Sequence, residues 1–148
     1  TLIKEGTPLL RYRTRDVTFL RNTTCSCGRT SIRMNRLFGR TDDMLIIRGV
    51  NVFPSQVEHA LIEIEGTDPH YLIILTRGEN HLDEAELQVE VKQELFGDET
   101  RTLESLRNKI ETILKSKLGI QFKVKLVEPK SIERSMGKAK RVIDRRTM

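Results

Sequence analysis

The chain has 148 residues, 37% of them hydrophobic, 32% charged and 5% aromatic, with 26 Lys and Arg against 21 Asp and Glu for a net charge of +5. That is room for one domain of ordinary size and a piece of another, with enough apolar residues for a real core. No apolar run approaches membrane-spanning length, the start has no signal-peptide pattern, and two cysteines make no disulfide framework, so a cytoplasmic protein without a membrane partner is expected.

The charge is uneven. Residues 130–148 hold Lys130, Arg134, Lys138, Lys140, Arg141, Arg145 and Arg146 against Glu133 and Asp144, which accounts for the whole excess of +5. Such a tail is either a solvated basic terminus or a site for an anionic partner such as a nucleotide or coenzyme phosphate or a nucleic acid.

In chain order, residues 9–13 and 17–20 read as short strands, followed by turn-like stretches at 22–24 and 26–28. The first 36 residues are too few and too charged to close their own core, and they read as the tail of a larger domain. Cys25 and Cys27 could supply half of a tetrahedral metal site. Four ligands are needed, no second pair is present, and His59, His70 and His81 lack ligand spacing, so no metal is expected. Arg40 sits beside Asp42 and Asp43, a polar run that marks a domain boundary.

Met44 to Ile47 is a continuous apolar strand, interrupted by Gly49, which suits a bulge or a close approach of backbone to a ligand. Pro54 stops any ladder. Ser55 and Glu58 have capping-box spacing, and Val57, Ala60, Leu61 and Ile64 recur at helical spacing, so a helix is expected from about Ser55. Gly66 and Pro69 mark a turn before a strand over 71–76. A polar loop over 77–83 leads to an alternating strand over 87–91, its expected partner. Leu103, Leu106, Ile110, Ile113, Leu114 and Leu118 predict a helix over 102–118 with Gly119 as its C-terminal cap. A last strand alternates through Phe122, Val124 and Leu126. From residue 43 the order is strand, helix, strand, strand, helix, strand. It predicts an α+β fold, a ferredoxin-like βαββαβ sandwich with two helices on one face of a mainly antiparallel sheet.

Three stretches occur in a meaningful order: YRTRDVT at 12–18, GRTDDMLIIRGVNVFPSQVE at 39–58 and SMGKAKRVIDRR at 135–146. They resemble the nucleotide-binding motif, the hinge motif and the C-terminal lysine motif of the adenylate-forming (acyl-CoA synthetase) superfamily. The wording is nearest to the phenylacetate-CoA ligase branch. Any one motif alone would be weak; the ordered three cover nearly the whole chain. Arg15 stands where most of the superfamily has glycine, and it fits this branch.

The resemblance implies that residues 1–41 are the remnant of the end of a large N-terminal domain and 42–148 a mobile C-terminal domain. It implies an AMP-forming acid–CoA ligase using ATP, Mg2+ and coenzyme A on a small-molecule carboxylic acid, an aryl acetate in this branch. Asp16 would accept hydrogen bonds from the nucleotide ribose hydroxyls, as an acceptor-only carboxylate can, and Arg40 would lie near the ribose or phosphate. Asp42 would be the hinge, Gly49 would line the pantetheine tunnel, and Lys138 would bridge the acid carboxylate and the α-phosphate during adenylation. The missing N-terminal domain is then a required partner, and residues 1–148 alone are expected to be inactive. Read without the resemblance, Asp16 is a surface aspartate, Arg40 and Asp42 a surface ion pair, Gly49 a bulge and Lys138 a solvated lysine. Two other classes share the expected fold: a small-ligand or protein-interaction module, and a nucleic-acid-binding domain, which needs stacking aromatics that these strands largely lack.

Overall fold

The computed structural model describes residues 3, 5, 6, 9–96, 100–134 and 140–146, and the chain divides into two units, Thr1–Asp42 and Asp43–Met148. In the first, β1 (Asp16–Val17), β2 (Leu20–Arg21), β3 (Arg33–Met34) and β4 (Gly39–Arg40) are two residues each. They form two separate antiparallel ladders, β1 with β4 and β2 with β3. The strand expected over 9–13 does not form, and the one over 17–20 is broken. Arg11 and Arg15 have φ of 52° and 65°, which turns the backbone out of any extended run. At the break, the Thr18 hydroxyl donates to the carbonyls of Asn35 and Arg36.

The second unit contains β5 (Leu45–Ile47), β6 (Val50–Val52), α1 (Pro54–Ile62), β7 (Thr67–Arg77), β8 (Asp83–Val91), α2 (Gln93–Phe96), α3 (Thr100–Leu118), β9 (Lys123–Val127) and β10 (Val142–Asp144). Alternation builds it. Tyr71, Ile73 and Leu75 of β7 and Ala85, Leu87 and Val89 of β8 are buried in phase, and the register sets Tyr71 opposite Val89, Ile73 opposite Leu87 and Leu75 opposite Ala85. Helices α1 and α3 cover that face with Val57, Ala60, Leu61, Leu106, Ile110 and Leu114. Each fully buried Leu or Ile contributes roughly 1.5–3 kcal/mol. Helix α3 ends as expected: Gly119, at φ 73°, donates its N–H to the Lys115 carbonyl.

The architecture mixes α and β, but the sheet order is β10-β7-β8-β9, not the expected ferredoxin-like βαββαβ order. The pair β7–β8 is antiparallel, while β8–β9 and β10–β7 are parallel. The cause is local. Arg48 and Gly49, with φ of 50° and 80°, reverse the chain after three residues, so 45–47 pairs with 50–52 as a hairpin instead of joining the sheet. The position beside β7 is taken by β10, a strand the tail's charge concealed. Three smaller corrections follow from proline and from side-chain amide chemistry. Pro54 is already the first helical residue, where its missing N–H costs nothing. The Phe53 N–H is met by the Gln56 side-chain oxygen at 3.0 Å, so Ser55, inside the first turn, is not the cap. Strand β7 also begins before Pro69, which falls in the register shift between Thr67 and Tyr71, where no ladder N–H is required.

Candidate functional site

In the first unit the β1–β4 ladder sets Asp16 directly opposite Arg40, residues 24 positions apart in the chain. The Arg40 guanidinium grips Asp42 with two bonds, Nε to Oδ1 at 3.1 Å and Nη2 to Oδ2 at 2.9 Å, and its Nε lies 3.9 Å from Asp16 Oδ1. The Thr41 N–H donates to the Arg15 carbonyl at 2.8 Å, which closes the end of the ladder. Three of the residues singled out in the sequence thus form one cluster, with Arg40 shared between two carboxylates. All three side chains keep solvent access, at 41% for Arg40, 27% for Asp16 and 30% for Asp42, so polar atoms remain available to a ligand. Arg15, in the position the motif gives to glycine, has the left-handed backbone that glycine adopts freely.

Nearby in sequence, Cys25 and Cys27 are free thiols with sulfurs 3.1 Å apart. The Cys27 backbone N–H, then its thiol, hold the Cys25 thiol below its ordinary range. Among the described residues no group of three or more His, Cys, Asp or Glu is placed to hold a metal ion.

In the second unit Gly49 lies at the tip of the β5–β6 hairpin. Both tip residues have positive φ, the type I′ pattern of a two-residue turn rather than a bulge. A Cβ added at Gly49 would meet no atom within 4 Å. The tip is thus open, and the requirement for glycine within this unit is one of backbone conformation. Lys138 lies outside the described residues, but the chain on either side of 135–139 is tied down. On one side Glu90, fully buried, accepts the Lys130 N–H at 3.0 Å, the Ile132 N–H at 2.9 Å and Arg134 Nη2 at 2.7 Å. Burial alone would raise the Glu90 pKa; the two backbone donors and Arg134 outweigh it and hold the carboxyl below its usual range. On the other side Arg141 donates to Glu58 at 2.9 Å and stacks over the Tyr71 ring at 4.6 Å. The Tyr71 hydroxyl donates to the Pro54 carbonyl at 2.7 Å, and burial pushes its pKa up to about 12.

Sequence reasoning missed Glu90, Asp83 and Arg146. Glu90 falls in the wet phase of an alternating strand, and the loop at 128–134 supplies its donors. Arg146 donates to Asp83 at 2.9 Å, to Asp144 at 2.6 Å and to the Ile46 carbonyl at 2.7 Å. That pairing, chiefly with Asp144, raises the Arg146 pKa, and Arg146 holds Asp144 below its usual range. Nothing in the residue spacing relates position 46 to position 146.

Residues 49–146 match the family of AMP-binding enzyme C-terminal domains. The chain belongs to that family. Over 99% of its length it is 49% identical to the phenylacetate-coenzyme A ligase of Thermus thermophilus, of which it spans 36%. Among solved structures it resembles a 2-hydroxyisobutyryl-CoA ligase in the postadenylation state in complex with R3-HIB-AMP, with a TM-score of 0.77 and 39% identity over 88% of this chain and 28% of that one. The same ligase with 2-HIB-AMP and CoA in the thioesterification state matches with a TM-score of 0.67 and 39% identity, over 90% of this chain and 28% of that one. The chain therefore spans about a third of these relatives, and the AMP-binding C-terminal domain occupies its second unit. Among the described residues no helix is long and apolar enough to cross a membrane.

Proposed function

We propose that the protein is the C-terminal part of an ATP-dependent, AMP-forming acid–CoA ligase of the phenylacetate-CoA ligase branch. The observation that carries this reading is the 49% identity to a phenylacetate-coenzyme A ligase running through 99% of the chain, with all three motifs inside it. In the first half-reaction a carboxylate attacks the α-phosphate of ATP, giving acyl-adenylate and pyrophosphate. In the second the CoA thiol attacks the acyl carbon and AMP leaves. Asp16, half-buried and opposite Arg40, is the acceptor for ribose hydroxyls, and Arg40 is the cation beside the nucleotide. Lys138 stabilises charge on the acid carboxylate and α-phosphate during adenylation. Asp42, the last residue of the first unit, is the hinge. Gly49 lines the path of the pantetheine thiol.

Residues 1–41 are then the end of a larger domain, and exposed apolar side chains such as Leu10, Leu20 and Met34, 68%, 67% and 63% exposed, support that assignment. The described residues offer Mg2+ no ligand cluster, so no step assigned to them runs through it. The nucleic-acid reading loses support because the aromatic candidates Tyr71 and Phe122 are 3% and 0% exposed and Phe53 is half-buried outside the strands.

The test is pyrophosphate exchange and thioester formation by the full-length protein with ATP, CoA and a panel of aryl and alkyl acids. Lys138→Ala is expected to lower adenylation on the order of 10²- to 10³-fold while still converting supplied acyl-adenylate to thioester. Asp42→Pro is expected to impair thioester formation more than adenylation. Activation of no acid by the parent protein would overturn the reading.

A further inference from the structure

We infer that Asp83 and Arg146 are positioning residues that clamp the Arg48–Gly49 turn, and that they act on thioester formation and not on adenylation; this rests on the reading above that the turn meets the CoA thiol. A two-stranded hairpin is marginal by itself, and this one has strands of three residues. Its strands are anchored in the core by Val52 at the open end and by Ile47 next to the turn, but the turn residues Arg48 and Gly49 are themselves exposed and Gly49 has no neighbour within 4 Å of an added Cβ. Apolar packing therefore holds the strands up to Ile47 and Val50 and leaves the direction of the two turn residues to polar contacts.

Those contacts converge on Asp83, at the start of β8. Its carbonyl accepts Arg48 Nε at 2.6 Å, and its carboxylate accepts Arg146 Nη1 at 2.9 Å and lies 3.5 Å from the Arg48 N–H. Arg77, the cross-strand neighbour of Asp83, brings its Nε to 3.9 Å from the other carboxylate oxygen. Arg146 Nη1 also donates to the Ile46 carbonyl of β5 at 2.7 Å, while Nε and Nη2 hold Asp144 at 2.9 and 2.6 Å. One guanidinium thus joins the hairpin, the sheet and the end of β10. With side chains 15% and 19% exposed, the pair is shielded from most of the water that weakens surface ion pairs, and charge-assisted bonds of this kind fix direction as well as distance. A misaimed tip would change the approach of the thiol, where an error of about 1 Å can cost on the order of a hundredfold in rate.

The test uses the full-length protein with Asp83→Asn and Gly49→Leu, following acid-dependent ATP–pyrophosphate exchange, thioester formation against CoA concentration, and Tm. Asp83→Asn is expected to keep exchange within about twofold and to lower kcat/KM for CoA roughly ten- to a hundredfold, with Asp83→Glu recovering part of the loss. An equal fall in both half-reactions, or an unchanged CoA step, overturns the clamp. If Gly49→Leu blocks thioester formation while Asp83→Asn does not, the clamp fails and the reading of the hairpin stands. If Gly49→Leu leaves thioester formation intact, the hairpin is not on the thiol's path and both fail. Should Asp83→Asn not fold, Arg48→Ala, which removes one contact from an exposed position, must show the same split or the inference is wrong.

Discussion

The two units of this chain use their apolar residues in opposite ways. In Asp43–Met148 the hydrophobic side chains of β7, β8, α1 and α3 are buried in phase around a shared core. In Thr1–Asp42 the ladders are two residues long, and Leu10, Tyr12, Leu20, Ile32, Met34 and Leu37 are all exposed. Side chains of that kind left in water contribute little to folding, because the transfer free energy is gained only on burial. The second unit has the interior of a domain, and the first leaves much of its apolar surface exposed.

That contrast can be broken by core truncation, the largest effect expected. Ile110→Ala in α3, where Ile110 is 0% exposed, should cost about 2–5 kcal/mol. Met34→Ala in the first unit should change the stability of residues 1–148 by less than about 0.5 kcal/mol. Urea unfolding followed by circular dichroism measures both, and similar costs at the two sites would mean the units are not distinct in the way described.

A smaller effect tests whether the second unit is held by buried charge as well as by its core. Glu90→Ala removes the acceptor of two N–H groups and of Arg134, for an expected loss of about 1–3 kcal/mol. The pH dependence has a definite sign. The folded-state pKa of Glu90 lies below its unfolded value, so its contribution is present above the unfolded pKa and is lost as pH falls through the folded pKa. Glu90→Gln should therefore flatten the acid limb of stability against pH relative to the parent. An unchanged acid limb would show that the carboxylate is not ionised in the way its donors require.

The smallest expected effect lies in the first unit. Arg15 has φ of 65°, which for a residue with a Cβ costs roughly 1–2 kcal/mol, partly offset by the greater unfolded-chain entropy of glycine. Arg15→Gly should be neutral or stabilising by up to about 1 kcal/mol, and Arg15→Val should be destabilising. Both are readable in the thermal midpoint of the full-length protein. A clear loss of stability with glycine would mean that the arginine side chain makes contacts that outweigh its backbone strain.

What the sequence determined by itself is local and periodic. The helix at α3 with its Gly119 cap, the strand at β7, the alternation of β8 and the pairing of the two were legible, because each follows from patterns within one or two neighbouring segments, and the order of the three motifs was legible because it is a property of the sequence alone. Tertiary structure alone decided three other matters. The strand at 45–47 folded onto 50–52 because two residues of positive φ at 48 and 49 reversed the chain, and no apolar pattern reports a φ angle. Val142 to Asp144 became an edge strand because β7 offered an unpaired edge there. Asp16 met Arg40, Glu90 met the loop at 128–134, and Arg146 met Ile46 and Asp83 across separations of 24, about 40 and up to 100 residues. Such pairs form only when the core has fixed the backbones that carry them, since a charged side chain has no period of its own to announce its partner.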